Sequence, residues 1–405
     1  MLDVTQAVKA RYSAGARERQ AALCCPVHYD PGLLALLPAE ILEKDYGCGD
    51  PTPFVRPGDT ILDLGSGGGK ICYLAAQLVG EQGRAIGVDM NDDMLALARR
   101  YQPEMAARLG GDRVAFHKAR IEDLALSLEA VADYLRAHPI QDLDAYLAFQ
   151  HWQAEERAER PLIADASVDL IVSNCVLNLV ADSEKGRMMA ELYRVLKPGG
   201  RIALSDICAD EAVPAALKQD PALWSCCIAG SFQELEFLRA LEKVGFLGLR
   251  IHAWAAEPWQ SVAGVEFRSL TVTAVKGASS PCLDLGQAVV YRGPFRSVTD
   301  DEGHEYPRGE RMAVCERTYR LLTGAGPYQG GPGGGEFIGI EPQTPAAPRP
   351  WCTPPGTRRP AAETKAAAHR SDGGECCGPS DGPNEDAAPC CGGGSPGGGE
   401  RPPCC

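Results

Sequence analysis

Short apolar runs alternate with amphipathic stretches along most of this chain. Between residues 58 and 277 the runs are bounded by glycine, proline and polar residues, and the stretches between them have helical hydrophobic periodicity. This alternation predicts an α/β fold, with a doubly wound, mostly parallel sheet and helices on both faces. The predicted strands are Thr60–Leu64, Ala85–Val88, Val114–His117, Leu170–Ser173, Ile202–Asp206, Leu247–His252 and Phe267–Val275.

The pattern changes at both ends of this region and once inside it. Residues 1–57 have helical character and predict an N-terminal cap, and the charged helical stretch at 125–160 predicts an insertion between the third and fourth strands. Residues 278–327 contain two further strand-like runs, Ala288–Tyr291 and Arg311–Cys315, and a short helix. This segment is too small for a large core of its own and forms a small C-terminal α+β region.

Glycine, proline and alanine dominate residues 328–405, and hydrophobic periodicity disappears. Such a composition predicts a disordered tail, because it offers too little apolar surface to offset the entropy of ordering. The tail carries three Cys-Cys pairs that begin at Cys376, Cys390 and Cys404, 14 residues apart.

Composition narrows the classes of function. The chain has 405 residues, with 54 acidic against 40 basic side chains and a net charge of −14, which argues against nucleic acid or an anionic membrane as partner. It has no apolar run of membrane-spanning length and no signal-peptide core, so we expect a cytoplasmic protein. Because the cytosol keeps thiols reduced, its 17 cysteines predict free thiols, ligands or redox groups.

A glycine-rich loop follows the first predicted strand and opens a helix, in Asp63-Leu64-Gly65-Ser66-Gly67-Gly68-Gly69-Lys70. It differs from a dinucleotide fingerprint, which has a third glycine where Lys70 stands, and from a P-loop, which has serine or threonine where Ile71 stands. Asp89 ends the next strand at a spacing suited to hydrogen-bonding a ribose. With the Lys-Pro-Gly-Gly turn at 197–200, the loop resembles the first motif of class I S-adenosylmethionine-dependent methyltransferases.

That resemblance implies a Rossmann-like fold and S-adenosylmethionine as cofactor. Tyr46 is a candidate for covering the sulfonium by cation–π attraction, and Ile121-Glu122 follow the strand near which this fold contacts adenine. The candidate cofactor-binding residues are Tyr46, Asp63, Gly65, Ser66, Gly67, Asp89, Met90, Ile121, Glu122 and Asn174.

Cys175 directly follows the predicted strand Leu170–Ser173 and Asn174, at the edge of the sheet where ligands of open α/β sheets bind. A thiol beside a cofactor loop predicts transfer chemistry on a thiol-seeking substrate. Three segments, Tyr46-Gly47-Cys48-Gly49, Ser173-Asn174-Cys175-Val176 and Trp224-Ser225-Cys226-Cys227-Ile228, together resemble the arsenite methyltransferases over about residues 20–325.

The resemblance implies that Cys48, Cys175 and Cys227 bind trivalent arsenic as substrate. Cys227 is preferred to Cys226 because it matches the family's cysteine followed by an apolar residue and small residues. Cys24 or Cys25 would join in early substrate capture or disulfide formation, and a thiol reductant, glutathione or thioredoxin, would recycle any disulfide.

The chemistry of sulfur supports the same interpretation, because soft thiolates select soft centres. Arsenic held by three thiolates keeps a lone pair that can attack the methyl group of a sulfonium, and no general base is needed. Two alternatives stay open: a small-molecule C- or O-methyltransferase with structural cysteines, and a non-enzymatic metalloid-binding protein built around the Cys-rich tail. Zinc is a rival ligand for a cluster of cysteines, although the paired short spacings of structural zinc sites are absent from the folded part.

Overall fold

The computed structural model describes residues 4–18, 20, 27–277, 281–323, 335–342, 347–354 and 356–364. Cys24, Cys25 and the paired cysteines of the tail lie outside these residues. The chain divides into the units Met1–Lys365 and Ala366–Cys405, and every residue described below belongs to the first.

The described helices begin with α1 in the predicted N-terminal cap. They are α1 Val4–Arg17, α2 Pro31–Leu34, α3 Ala39–Glu43, α4 Lys70–Leu78, α5 Asp92–Leu109, α6 Leu128–Ala137, α7 Leu143–Glu159, α8 Lys185–Val195, α9 Ala215–Lys218, α10 Pro221–Ser225, α11 Glu234–Lys243 and α12 Glu316–Thr323. Single 3-10 turns lie at Thr52–Phe54, Leu177–Leu179 and Ala361–Thr364.

The large sheet contains nine strands, and it includes all seven that the sequence predicts between residues 58 and 277. They are β1 Thr60–Leu64, β2 Arg84–Asp89, β3 Val114–Lys118, β4 Val168–Asn174, β5 Leu196–Ala209, β6 Phe232–Gln233, β7 Phe246–Trp254, β8 Gln260–Val262 and β9 Val265–Lys276.

The order of the main strands is β3-β2-β1-β4-β5-β9-β7. The first five are parallel, and β9 runs antiparallel to both β5 and β7. The chain moves outward from β1 to β3 and then returns to place β4 on the other side of β1. This reversal is the topological switch point at which open α/β sheets bind ligands. The predicted doubly wound α/β fold is confirmed.

The core explains why the central strands are almost continuously apolar. Successive side chains of β1 point to opposite faces: Leu62 packs in one buried cluster with Leu192 of α8, and Ile61 packs in another with Leu74 of α4. A parallel strand covered by helices on both faces has no solvent side, so nearly every position is apolar.

The predicted insertion at 125–160 contains two helices, α6 and α7, and neither has a buried residue. Stacked rings join the two helices, with the centroids of Tyr134 and Trp152 4.3 Å apart. An ion pair of 2.9 Å between Arg157 and Asp123 ties α7 to the loop after β3. The insertion therefore lies on the outside of the sheet domain and adds little to its core.

The C-terminal region has a small core of its own, in which Tyr291, Tyr306 and Leu322 are buried. Its strands are β10 Leu283–Asp284, β11 Ala288–Tyr291, β12 Ser297–Thr299, β13 Glu305–Pro307, β14 Arg311–Ala313, β15 Phe337–Ile340 and β16 Arg349–Pro350. β14 and β15 pair antiparallel with the two edges of β11.

The sequence predicts disorder from residue 328 onward, and that prediction is wrong at residues 349–350, at 361–364 and at 337–340, where β15 forms. The edge of β11 supplies the hydrogen-bonding partners of this short strand, and Phe337 fills the small core. Glycine and proline on either side dilute the apolar signal of four residues, so composition alone misses them. Of the helices that the structure describes, none has the length and apolarity needed to cross a membrane.

Two leucines distinguish the core from the insertion. Leu192 of α8 is 0% exposed and Leu147 of α7 is 51% exposed. We expect Leu192→Ala to lower the free energy of unfolding by about 2–5 kcal/mol, because it leaves a cavity in the core. The matched change Leu147→Ala should cost about 0.5 kcal/mol or less. Urea unfolding of both variants measures the difference, and equal losses would show that the insertion is part of the core.

Candidate active site

The glycine loop after β1 is bound to the end of β2. Gly65 has a φ of 64°, in the left-handed region, and a Cβ placed there would lie 2.5 Å from Cγ1 of Val176, so the position requires glycine. The backbone N–H of Gly67 donates to Oδ2 of Asp89 over 2.9 Å. The loop and the acidic residue that the sequence singles out therefore form one hydrogen-bonded unit.

The Asp89 carboxylate is held from two sides. Oδ1 accepts from the backbone N–H of Asn91 at 2.8 Å, while Oδ2 accepts from Gly67. Burial raises the pKa of Asp89, and the backbone N–H groups of Asn91, Gly67 and Met90 act in the opposite direction. Each carboxylate oxygen can accept more than one hydrogen bond, so Asp89 retains capacity for a ligand hydroxyl.

One cleft opens at this edge of the sheet, with about 1160 Å³ of empty volume that includes space open to solvent. Every predicted cofactor-binding residue lines it: Tyr46, Asp63, Gly65, Ser66, Gly67, Asp89, Met90, Ile121, Glu122 and Asn174. The Ser66 hydroxyl is buried and has no hydrogen-bond partner among the residues that the structure describes. A buried hydroxyl without a partner is costly, so its presence in the wall fits a ligand that carries polar groups.

Three of these residues are fixed by contacts within the protein. The Tyr46 hydroxyl donates to the Gly15 carbonyl over 3.0 Å, so the ring stands between α1 and the cleft. Glu122 is buried and ion-paired with Arg120, with 2.5 Å between Nε and Oε1. Burial raises the pKa of Asp63 to about 8, although the hydrogen bond from the Cys72 thiol acts against this rise.

Asn174 holds the loop that contains Cys48. Its Oδ1 accepts from the backbone N–H groups of Cys48 at 2.5 Å and Gly49 at 2.9 Å, and its Nδ2 donates to the Gly49 carbonyl at 2.6 Å. A Cβ on Gly47 would lie 2.4 Å from Nδ2, which explains the glycine before Cys48. Asn174 thus lines the cleft, and its amide also positions a predicted arsenic ligand.

The predicted arsenic ligands Cys48, Cys175 and Cys227 lie in one apolar cluster and are 5–6% exposed. Cys48 and Cys175 form a disulfide, with Cα atoms 5.9 Å apart. Cys227 is not part of a disulfide, and its thiol donates to the Cys175 carbonyl over 3.3 Å. The structure brings the predicted set together, with two members oxidised and the third reduced. Cys226 is half-buried next to the cluster, and Cys24 and Cys25 lie outside the described residues.

The backbones of Cys175 and Cys227 adopt unusual conformations. Their φ angles are 60° and 63°, a left-handed region that costs a residue with a side chain roughly 1–3 kcal/mol. Such conformations persist where the surroundings enforce them, and they cluster at functional sites. Here the backbone N–H of Cys175 donates to the Ser205 carbonyl at 2.8 Å.

Two buried residues that sequence analysis missed, Asp206 and Asn178, support the segments that carry Cys175 and Cys227. Asp206 lies in β5. Its carboxylate accepts hydrogen bonds from the backbone N–H of Leu177 at 2.8 Å and from Nδ2 of Asn178 at 2.8 Å. Nδ2 of Asn178 also contacts the Cys227 carbonyl at 3.5 Å. Burial raises the pKa of Asp206 to about 7, while hydrogen bonds from the backbone of Ile207, Leu177 and Asn178 oppose the rise. The sequence could have indicated Asp206, because it is an acidic residue at the end of the predicted strand Ile202–Asp206.

Tyr12 of α1 also escaped the sequence analysis. It lines the cleft and its hydroxyl lies near the Cys227 thiol, so it connects the cleft to the cysteine cluster. Burial raises the pKa of the Tyr12 hydroxyl well above its usual value, and the nearby Cys227 and Asp206 add to the effect. The sequence around Tyr12 does not indicate this role, because the position of Tyr12 depends on how α1 packs against α10 and α5.

Comparison with known proteins identifies relatives of this chain. Residues 56–147 and 141–245 match a family described as a methyltransferase domain, and residues 278–369 match a domain of unknown function. The arsenite methyltransferase of Aquipseudomonas alcaligenes is 34% identical over 74% of this chain and 81% of its own length. The arsenite methyltransferase of Mus musculus is 32% identical over 70% of this chain and 69% of its own length.

A solved structure extends the likeness to the fold. The arsenic(III) S-adenosylmethionine methyltransferase from Chlamydomonas reinhardtii superposes with a TM-score of 0.53 at 28% identity, over 80% of this chain and 99% of that one. Together with the cleft and the clustered cysteines, these matches show that the chain belongs to the arsenite methyltransferase family.

Proposed function

We propose that this protein transfers methyl groups from S-adenosylmethionine to trivalent arsenic bound by Cys48, Cys175 and Cys227. One observation carries the proposal: the three cysteines gather in one buried cluster, and Cys175 also lines the cleft that holds the candidate cofactor residues. A cysteine in the cleft argues against a C- or O-methyltransferase whose cysteines are only structural. The glycine loop argues against a non-enzymatic metalloid-binding protein, because binding a metalloid does not require a cofactor site.

The cofactor-binding role of the cleft rests on its donors and acceptors. When bound, S-adenosylmethionine supplies an electrophilic methyl group on a sulfonium. Asp89 can accept hydrogen bonds from ribose hydroxyls, the Ser66 hydroxyl can bond a polar group of the cofactor, and the anchored Tyr46 ring offers a face to the sulfonium. We assign this chemistry to residues 58–277, with the cap at 1–57 contributing Tyr46 and Cys48.

The cysteine cluster is suited to arsenic because its sulfur atoms are soft and its surroundings are apolar. Arsenous acid and three reduced cysteines give an arsenic trithiolate and three waters, As(OH)3 + 3 Cys-SH → As(S-Cys)3 + 3 H2O. The product would keep its lone pair, so arsenic could accept the methyl group as the S–CH3 bond breaks and S-adenosylhomocysteine leaves. The constrained backbones of Cys175 and Cys227 preorganise two of the three ligands, which reduces the entropy lost when arsenic binds.

The Cys48–Cys175 disulfide must be opened before three thiolates can bind arsenic. Two thiols of a reductant supply the two electrons and become a disulfide, and Cys48 and Cys175 each gain a proton. We propose glutathione or thioredoxin for this step, in the cytosol, where both maintain reduced thiols. Cys24 or Cys25 would take part in the first capture of arsenic.

The proposed function is tested by incubating the protein with S-adenosylmethionine, arsenite and a thiol reductant, and measuring methylated arsenic. We expect methylated arsenic only when all three are present. Omitting the reductant should abolish turnover of the oxidised protein, because two of its ligands are then unavailable. Arsenite binding without consumption of the cofactor would favour the metalloid-binding alternative, and no response to arsenite would favour a different methyl acceptor.

Asp89→Asn tests the cofactor cleft. The amide keeps the size of the side chain but loses the charge, so a ribose hydrogen bond worth about 1.5–3 kcal/mol should weaken. We expect roughly 10- to 150-fold weaker binding of S-adenosylmethionine in calorimetric titration. Asp93→Asn, which changes a carboxylate that pairs with Arg17 outside the cleft, is the matched control and should bind normally. Unchanged affinity in Asp89→Asn would remove Asp89 from the cofactor site.

Serine substitutions test the arsenic ligands one by one. Cys48→Ser, Cys175→Ser and Cys227→Ser should each abolish arsenic methylation, because a protonated hydroxyl cannot replace a soft thiolate. Affinity for S-adenosylmethionine should stay within a few fold of that of the parent protein. Cys226→Ser, next to Cys227 in sequence, is the matched control and should keep its activity. Wild-type turnover in any of the first three variants would exclude that cysteine as a ligand.

A further inference from the structure

A second pair of thiols lies in the C-terminal region, outside the site described above. Cys282 precedes β10 and Cys315 precedes α12, and both are free. Their side chains lie near each other and line one cavity. Cys315 is buried and Cys282 is half-buried, and the Cys282 carbonyl accepts from the backbone N–H of Trp351 at 3.0 Å. Two chain segments therefore hold the pair in a defined position.

A cavity opens beside this pair, with about 750 Å³ of empty volume that includes space open to solvent. It shares no lining residue with the cleft at the glycine loop. Both thiols line it, and Met312, Val314 and Trp351 supply an apolar wall. The cavity thus presents two sulfur atoms next to a surface that suits a small organic group.

The surroundings of Cys282 disfavour oxidation of its thiol. Burial raises the pKa of the Cys282 thiol, and the neighbouring Cys315 raises it further. A raised pKa leaves less of a thiol in the nucleophilic thiolate form, so Cys282 exchanges slowly with disulfides. Cys282 precedes β10 and Cys315 precedes α12, so the two thiols come together only when this region folds.

We propose that Cys282 and Cys315 form a second arsenic site, which binds trivalent arsenicals that carry one organic group. The exchange is R–As(OH)2 + 2 Cys-SH → R–As(S-Cys)2 + 2 H2O, in which two As–O bonds are replaced by two As–S bonds and no electrons are transferred. The third position on arsenic keeps R, which faces the apolar wall. This second site goes beyond the proposed function. It rests on that function in one respect: methyl transfer to arsenic would produce monomethylated arsenic, which is a ligand of this kind.

Two sulfur atoms suit this ligand better than a metal ion. Structural zinc sites are closed by four ligands. Within the described ranges, no group of three or more His, Cys, Asp and Glu side chains is arranged to hold a metal ion. A monosubstituted arsenical needs only two thiolates, and soft sulfur matches soft arsenic. The active-site cluster has three cysteines and suits inorganic arsenic, whereas this pair suits arsenic with one position already occupied.

The test uses phenylarsine oxide as probe on the full chain, in a phosphine reductant and without S-adenosylmethionine. Cys48, Cys175 and Cys227 are replaced by serine, so that the result does not depend on methyl transfer. Glutathione is added to reverse adducts on single thiols. After proteolysis, mass spectrometry should show the peptides of Cys282 and Cys315 bridged by one phenylarsenic group.

Variants of single cysteines make the assignment specific. Cys315→Ser should remove the bridge and lower retention of the probe at Cys282 at least tenfold. Cys352→Ser, an exposed cysteine beside Trp351, is the matched control and should leave the bridge intact. Absence of the bridge, or its persistence on Cys282 in the Cys315→Ser variant, would overturn the proposal. Either result leaves the proposed methyl transfer at Cys48, Cys175 and Cys227 untouched.

Discussion

The buried carboxylate of Asp206 is the interaction on which the cysteine site depends. It accepts hydrogen bonds from the backbone of Leu177, two residues after Cys175, and from the side chain of Asn178, which in turn contacts the Cys227 carbonyl. A buried carboxylate is costly unless such donors surround it. Both donors belong to the segment that carries Cys175, and Asn178 also reaches the Cys227 carbonyl, so satisfying Asp206 also fixes these two cysteines relative to each other.

Asn174 does the same for the third cysteine. It ends β4, the strand next to β5, and its amide binds the backbone on both sides of the Cys48 carbonyl. Three distant parts of the chain thus meet at the carboxyl ends of two adjacent parallel strands. That is where the switch point of the sheet opens the cleft, so the fold itself places the thiols beside the candidate cofactor site. Tyr12 completes the connection, since it lines the cleft and its hydroxyl lies near Cys227.

Much of this could be predicted from the sequence because buried parallel strands leave a strong signal. The predicted strand Thr60–Leu64 agrees with β1 at both ends, and Leu170–Ser173 lies inside β4. Glycines such as Gly65 and the cysteines at strand ends are recognisable in the same way, because their chemistry is local. The left-handed backbones of Cys175 and Cys227, the Cys48–Cys175 disulfide and the role of Tyr12 are set by packing between distant segments. No local pattern encodes those contacts, and the short strand β15 was missed because its partner supplies its stability.

The central claim is that the three clustered cysteines, once reduced, bind arsenic through sulfur alone. X-ray absorption spectroscopy at the arsenic edge measures this directly, on reduced protein loaded with one equivalent of arsenite. Because the tail also contains cysteines, the spectrum is compared with that of the Cys227→Ser variant. The account predicts three sulfur neighbours and no oxygen in the parent protein, and loss of one sulfur in the variant. An arsenic–oxygen bond in the parent protein, or identical spectra for the two proteins, would contradict it.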